Sequence, residues 1–348
     1  MKIRDITLTR EKIKLKTPFK TALREVDSAE FIRVKVFCED GSFAYGEAPA
    51  TEAITGETLA SIEENIKAVS GLFYGRKAKE ALKILHLQKI GSSAKAALDI
   101  AFVTLLAKEK NRTLREYFDI KDTTPIKTDI TISLNDTKTM LREAQSLFAQ
   151  GMEILKVKLG SDIAHAIETT RQLAQKVPKA QLLIDANQAW SKDKTLEYIQ
   201  AVKDLDIVLI EQPLKAEALD DLAAVRAQSS IAILADEAVF TLEDAKRVVV
   251  KGAADMINVK LMKCGGVSKA IEILEYARAK EIVCMLGSMI EGPTSINITL
   301  YLAFAYRDVV KFVDLDSPLL YEALPRELDF CYKADTISFK KKALYLGT

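Results

Sequence analysis

From Pro125 onward the chain repeats one pattern: a short run rich in β-branched residues, then an amphipathic stretch of helical period. The runs are "IKTDITIS", "EILKVKLG", "AQLLIDAN", "IVLIEQP", "IAILADE", "DMINVKLM", "IVCMLGS" and "VVKFVDLD". They recur at roughly 25-residue intervals, the length of one strand-plus-helix unit. Parallel strands need a long crossover between them, and a helix is the usual one. Eight such units without a break favour a closed (β/α)8 TIM-type barrel over an open doubly wound sheet. No GxGxxG or GxxxxGK[ST] occurs. Gly265-Gly266, after the sixth run, read as a helix start, with a phosphate site as the alternative.

The preceding residues follow another rule. "IRDITLTREKIKL", "FIRVKVFCED" and "SFAYGEA" read as strands, with a hairpin turn at Asp40-Gly41. From Thr58 on, "TLASIEENIKAV" and "SSAKAALDIAFVTLLAKEK" carry helical periodicity. Strands followed by helices make an α+β unit. The expected organisation is an α+β unit over residues 1–122, a barrel over 123–318, and a C-terminal segment, 319–348, returning to the first unit.

Composition removes several classes of function. The 50 basic and 49 acidic residues balance, and the triplet Lys340 to Lys342 reads as a solvated turn, so no nucleic-acid partner is expected. No apolar stretch reaches the ~18 residues of a membrane span, and the N-terminus lacks the apolar core of a signal peptide. Cys38, Cys264, Cys284 and Cys331 are scattered without a CxxC, as reduced thiols are, and a cytoplasmic location is expected. His86 and His165 lie in helical stretches without an HExxH, and there is no GxSxG, which argues against zinc chemistry and a Ser-His-Asp triad.

In a barrel of this kind the chemistry sits at the C-terminal ends of the strands. The charges found there are Lys156 and Lys158 on strand 2, Asp185 with Asn187 on strand 3, and Glu211 on strand 4. Asp236 and Glu237 follow on strand 5, Lys260 on strand 6, and Asp314 and Asp316 on strand 8. Any one of them alone reads as a solvated charge. The set does not, because charged side chains are almost never buried unpaired. Strands 3, 4 and 5 are neighbours, and convergent carboxylates without His or Cys suit a hard divalent ion, Mg²⁺. The lysines flank them. A lysine base must fall from about 10.4 to roughly 7–8, and burial, a cation and a second ammonium all push that way. Lys156 is expected to be the like-charge neighbour that lowers Lys158; the alternative is that it neutralises Asp185 or Glu211. Mg²⁺ beside lysines suits removal of a proton next to a carboxylate through an ene-diolate. A lysine on each side of the carbon would invert it.

These motifs carry a resemblance. With "KVK", "DANQAW", "EQP", "ADE" and "NVKLMKCGG" on strands 2 to 6, the chain resembles the muconate-lactonizing branch of the enolase superfamily along essentially its whole length. The resemblance implies Lys158 and Lys260 as the acid/base pair and Asp185, Glu211 and Asp236 as Mg²⁺ ligands, with Lys156, Asn187 and Glu237 in support. It also implies that the N-terminal unit caps the barrel and shapes specificity. Within the branch the sequence is similar to dipeptide epimerases, whose strand-8 Asp-x-Asp binds the substrate ammonium; Asp314 and Asp316 match it. "TPFKTALREV" (17–26) and "GEAPATEAITGET" (46–58) look like the two specificity loops. Arg24 matches the arginine that L-Ala-D/L-Glu epimerases use for the glutamate side chain, and a guanidinium grips a carboxylate bidentately. Ser288 and Ile290 of "GSMIEGPTS" match substrate-contacting positions, whereas Gly292-Pro293 departs from the pattern. The expected partner is a small dipeptide, bound by a homo-oligomer. Muconate cycloisomerase, o-succinylbenzoate synthase and N-acylamino acid racemase share the scaffold but give no reason for the Asp-x-Asp. A catalytically silent barrel gives no reason for the buried charges.

Overall fold

The computed structural model describes residues 1–340; Lys341, Lys342 and the rest of the C-terminal segment lie outside the described residues. The chain opens with a three-stranded antiparallel sheet, β1 (Ile3–Lys20), β2 (Glu25–Cys38) and β3 (Phe43–Pro49), with β2 in the centre. The β2–β3 hairpin turns at Asp40-Gly41, where Gly41 takes φ 85°, a left-handed conformation that costs glycine nothing. The segment expected as a loop over 17–26 is instead the tip of the β1–β2 ribbon. After a register shift between Lys14 and Phe19, pairing resumes at Phe19↔Val26 and Lys20↔Glu25, so the turn shrinks to residues 21–24.

Helices α1 (Glu52–Thr55), α2 (Leu59–Ser70), α3 (Ala78–Leu85), α4 (Ser92–Glu109) and α5 (Leu114–Tyr117) follow. Helix α4 is buried around most of its circumference, because it lies between the sheet and the barrel. Ala97 and Ala101 let the sheet come close. The closest approach is at Gly46, where a Cβ would stand 1.8 Å from the Ala97 carbonyl oxygen.

After a two-residue strand, β4 (Ile126–Lys127), come the eight parallel barrel strands. They are β5 (Ile130–Ile132), β6 (Ile154–Lys158), β7 (Gln181–Asp185), β8 (Ile207–Glu211), β9 (Ala232–Ala235), β10 (Met256–Val259), β11 (Val283–Gly287) and β12 (Val310–Asp314). Each falls within one of the eight sequence runs. The crossovers are α6 (Thr137–Ala149), α7 (Ile163–Lys176), α8 (Lys192–Val202), α9 (Leu219–Arg226), α10 (Leu242–Lys251), the pair α11 (Leu261–Cys264) and α12 (Val267–Ala279), and α13 (Pro293–Ala305). Strand order follows chain order, and Asp129 N donates to Val313 O at 3.1 Å, tying the first strand to the last.

A short α14 (Ser317–Leu320) leads into the C-terminal segment. Tyr321 bridges to Leu15 of β1. The hairpin β13 (Phe330–Lys333) and β14 (Thr336–Phe339) then pairs with β4, and Phe330 packs on Tyr301 and Phe304 of α13. Among the described residues the segment meets the N-terminal sheet at Leu319, Tyr321 and Glu322, and its hairpin packs on the barrel.

Gly46→Ala forces a methyl against a backbone carbonyl that no rotamer change can move. Overpacking of this kind costs about 1–3 kcal/mol. Calorimetry is expected to show a melting temperature several degrees lower; an unchanged melt would contradict the contact.

Candidate active site

Strand parity places the charges. In β6, Leu155 and Val157 pack outward while Lys156 and Lys158 point inward, 0% and 6% exposed. Register then levels the next two strands: Lys158 pairs with Asp185, and Asp185 with Glu211. Asp236 and Lys260 each stand one residue beyond the end of their strand, and Asp314 ends β12.

The buried ions form one network. Lys156 Nζ lies 2.6 Å from Glu211 Oε2, 2.6 Å from Asp314 Oδ2 and 3.3 Å from Asp185 Oδ2. Lys158 Nζ is 2.5 Å from Asp185 Oδ2, and Lys260 Nζ is 2.7 Å from Asp236 Oδ2. The like-charge role expected of Lys156 is therefore corrected. Its side chain reaches the barrel axis, where an unpaired charge would be costly, and it meets carboxylates from three strands. Burial works to lower its pKa, but Asp314, Glu211 and Asp185 outweigh that and hold it well above the ordinary lysine value. Burial is likewise overcome at Lys260, where Asp236 raises the pKa.

The acids outnumber the lysines. Asp129, Asp185, Glu211, Asp236, Glu237, Asp314 and Asp316 are all buried, against Lys156, Lys158, Lys260 and Lys263. Burial and the charges of Asp236 and Asp185 push Glu237 up to about 8, and burial with Asp185 pushes Glu211 up to about 7. Asn187 Oδ1 and Glu237 Oε2 are buried without a hydrogen-bond partner, although Asn187 Nδ2 donates to Glu237 Oε1 at 3.4 Å. An excess of buried oxygen donors with unmet acceptors fits a hard divalent cation. The acids whose oxygens lie mutually within 4.8 Å are Asp129, just before the first barrel strand, and Asp314 and Asp316, at and just past the end of the last, not Asp185, Glu211 and Asp236.

Above this layer opens a cavity lined by Lys158, Asn187, Asp236, Glu237, Lys260, Ser288, Ile290, Asp314, Asp316 and Arg24. Asp314 Oδ2 accepts from Lys156 Nζ, and Asp316 Oδ2 accepts from Thr131 N at 2.7 Å. Lys156, Asp185 and Glu211 lie fully buried beneath. Arg24 sits in the ribbon-tip turn, where Thr21 N donates to its carbonyl at 2.9 Å. No acid offsets its charge among the described residues, and burial lowers it to about 10.

Four residues escaped the sequence reading. Asp129, just before β5, is buried with neither carboxylate oxygen hydrogen-bonded among the described residues. Lys263, within the quoted "NVKLMKCGG", donates to Asp236 Oδ1 at 2.5 Å and to Asn258 O at 2.9 Å. Asn258 Nδ2 donates to Glu211 Oε1 at 2.8 Å; it stands two before Lys260, so parity alone could have found it. Gln212 Oε1 accepts from Asp236 N at 2.9 Å and Ala238 N at 3.0 Å. Gln212 takes φ 35°, and Asn187 and Gln188 take φ 43° and 66°. Side chains rarely adopt this left-handed backbone, and it clusters at functional sites.

Comparison with known proteins agrees with this architecture. Residues 3–118 match the N-terminal domain of the mandelate racemase / muconate lactonizing enzymes, and residues 139–332 match the enolase C-terminal domain-like family. The L-amino acid-D/L-Glu epimerase of Sulfurimonas denitrificans is 56% identical over 333 residues, 95% of this chain and 98% of that protein. A substrate-liganded L-Ala-D/L-Glu epimerase from Bacillus subtilis superposes with a TM-score of 0.91 at 34% identity, covering 98% of this chain and 97% of that one. A dipeptide epimerase from Enterococcus faecalis, complexed with Mg and L-Leu-L-Tyr, does so with 0.91 at 32% identity over 100% and 99%. The likeness runs through both units, and the chain belongs to the mandelate racemase/muconate lactonizing group of the enolase superfamily, among its dipeptide epimerases, which are isomerases.

Proposed function

We propose that this enzyme interconverts L-Ala-L-Glu and L-Ala-D-Glu by inverting the glutamate α-carbon, with Lys158 and Lys260 as the two bases. The observation that carries the reading is their placement. Lys158 ends the second barrel strand and Lys260 follows the sixth, four strands apart in a ring of eight, and both line one cavity. A planar carbon held between them would meet one ammonium or amine on each face. One lysine takes the proton as the other returns one, which is the arrangement an inversion needs.

Asp185, Glu211 and Asp236 would hold Mg²⁺, with Asn187 and Glu237 beside them; three of the similar structures are complexed with Mg and a dipeptide. Bound there, the ion would supply positive charge to the substrate carboxylate as the α-carbon loses its proton. Asn258 and Lys263 orient the carboxylates of Glu211 and Asp236, and Gln212 fixes the backbone at Asp236, through the hydrogen bonds described above. Lys156 neutralises the layer beneath. Asp314 and Asp316 would receive the dipeptide ammonium, and Ser288 and Ile290 border the substrate. Arg24, charged and unpaired at the rim, would receive the glutamate side chain as a bidentate carboxylate. The relative from Sulfurimonas, named for D/L-Glu after an unspecified L-amino acid, supports glutamate as the fixed residue with more latitude at the first. Use of cell-wall peptides in the cytoplasm is the setting we propose; no helix among the described residues is long and apolar enough to cross a membrane.

Proton NMR in D₂O with Mg²⁺ is expected to show loss of the glutamate α-proton signal and growth of the other diastereomer; chelation of divalent ions is expected to stop both. Lys158→Ala and Lys260→Ala are each expected to reduce epimerisation by about 10²–10⁴-fold or more. Each variant should still exchange the α-proton of one diastereomer, a different one in each case. Exchange of both diastereomers by either variant would exclude the two-base assignment.

Arg24→Ala is expected to lower kcat/KM for L-Ala-L-Glu by about 10–100-fold, the value of a charge-assisted contact, and that for L-Ala-L-Ala far less. Equal losses would remove Arg24 from substrate recognition. Lys156→Met leaves buried carboxylates uncompensated and is expected to cost about 3–5 kcal/mol in urea denaturation.

A further inference from the structure

Three helices begin at a glycine and carry no capping side chain of their own: α4 at Gly91, α12 at Gly266 and α13 at Gly292. The first amides of a helix need an acceptor, ordinarily an N-cap Ser, Thr, Asp or Asn. Here distant acids supply it. Glu57 accepts from Ser93 N at 2.7 Å and Ala94 N at 3.1 Å on α4. Asp99, on α4, accepts from Ser268 N at 3.1 Å on α12, which also answers the phosphate alternative, because a carboxylate already stands at that helix start. Glu47, on β3, accepts from Thr294 N at 2.7 Å, Ser295 N at 3.3 Å and Thr294 Oγ1 at 2.9 Å on α13.

Each glycine makes room for its acid. A Cβ would stand 1.9 Å from Glu57 Oε1, 2.4 Å from Asp99 Cβ and 2.5 Å from Glu47 Oε2 at Gly91, Gly266 and Gly292 respectively. That accounts for Gly292-Pro293, which departed from the expected pattern. The glycine admits Glu47, and proline at the first helical position loses an amide that needs no partner.

The contact at Glu47 joins the two units next to the substrate cavity. Glu47 is fully buried, and its Oε1 also accepts from Arg33 Nε and Nη2 at 2.9 Å each. Arg33 lies on β2, whose other end forms the ribbon tip with Arg24. Phe31 of β2 packs with Ile290, and a Cβ at Gly292 would stand 2.7 Å from its ring. Residues 288–292 are thus held by the sheet that carries Arg24.

We propose that Glu47 is a positioning residue for substrate selection: it locks the sheet onto the start of α13 and so fixes the separation of Arg24 and Ile290 around the substrate's second side chain. This rests on the dipeptide reading above. Glu47 does not reach the cavity, so it acts on selection and not on proton transfer.

Glu47→Gln tests it, because an amide nitrogen cannot accept from Thr294, Ser295 or Arg33. The variant is expected to lower kcat/KM for L-Ala-L-Glu at least ~10-fold, mainly through KM, and to narrow its preference over L-Ala-L-Leu, with kcat within about threefold; misplacing a binding group by an ångström has effects of this size. Hydrogen exchange is expected to rise at the amides of 294–295 and also at residues 21–26. Thr294→Val removes one hydroxyl and keeps the fold, and a smaller shift in the same direction is expected. An unchanged preference, a uniform loss of kcat on every dipeptide, or exchange that rises at 294–295 but not at 21–26 would overturn the proposal. Failure of the unmodified enzyme on every dipeptide would instead overturn the dipeptide reading, and the exchange experiment would still decide the coupling.

Discussion

One ammonium group, that of Lys156, holds the barrel mouth together. It sits at 0% exposure among carboxylates contributed by β7, β8 and β12. Those strands lie on different parts of the barrel wall, so a single cation ties them across its interior. Buried charges of one sign cannot be packed without such a partner. Once Lys156 has settled Glu211 and Asp314, Lys158 meets Asp185 while Lys260 and Lys263 share Asp236, and Glu237 and Asp316 stay without a lysine partner among the described residues. The site's order, a neutralised floor beneath an acid-rich mouth, follows from that one placement.

The second constraint is at the helix starts. Barrel helices α12 and α13 begin with glycine and take their capping carboxylates from the N-terminal unit, so the seating of one unit on the other is written into hydrogen bonds and not only into apolar contact. The α-helix dipole favours an anion at this end, which strengthens each contact. The two helices are those that follow Lys260 and the 288–292 segment, so the joint falls beside the chemistry.

Much of this was legible in the sequence, for a physical reason. Strands have a period of two and barrel sites lie at strand ends, so a charge at the end of an apolar run reports its own position. Lys156 with Lys158 and Asp314 with Asp316 could be placed that way. The role of Lys156 could not, because it depends on how far the side chain reaches across the barrel. Lys263 was passed over because it stands beyond the strand, on a short helix where parity no longer applies. Gln212 follows Glu211 at a strand end, and only its left-handed backbone turns it toward Asp236. Glu47 and Thr294 are 247 positions apart, and no local pattern links them. The ribbon tip read as a loop from its resemblance to a specificity loop, yet beyond a register shift pairing with β2 resumes at Phe19 and Lys20.

The glycines at 266 and 292 have a consequence for how such a protein can change over generations. A helix that supplies its own cap is indifferent to its neighbours, whereas a helix capped from another unit makes that neighbour part of its own folding. Here an altered N-terminal unit must still present acids at 47 and 99, or the barrel must gain capping side chains where only glycine now fits. The two units are thereby bound to a shared history, and a new specificity grafted from a relative has to arrive with its joints.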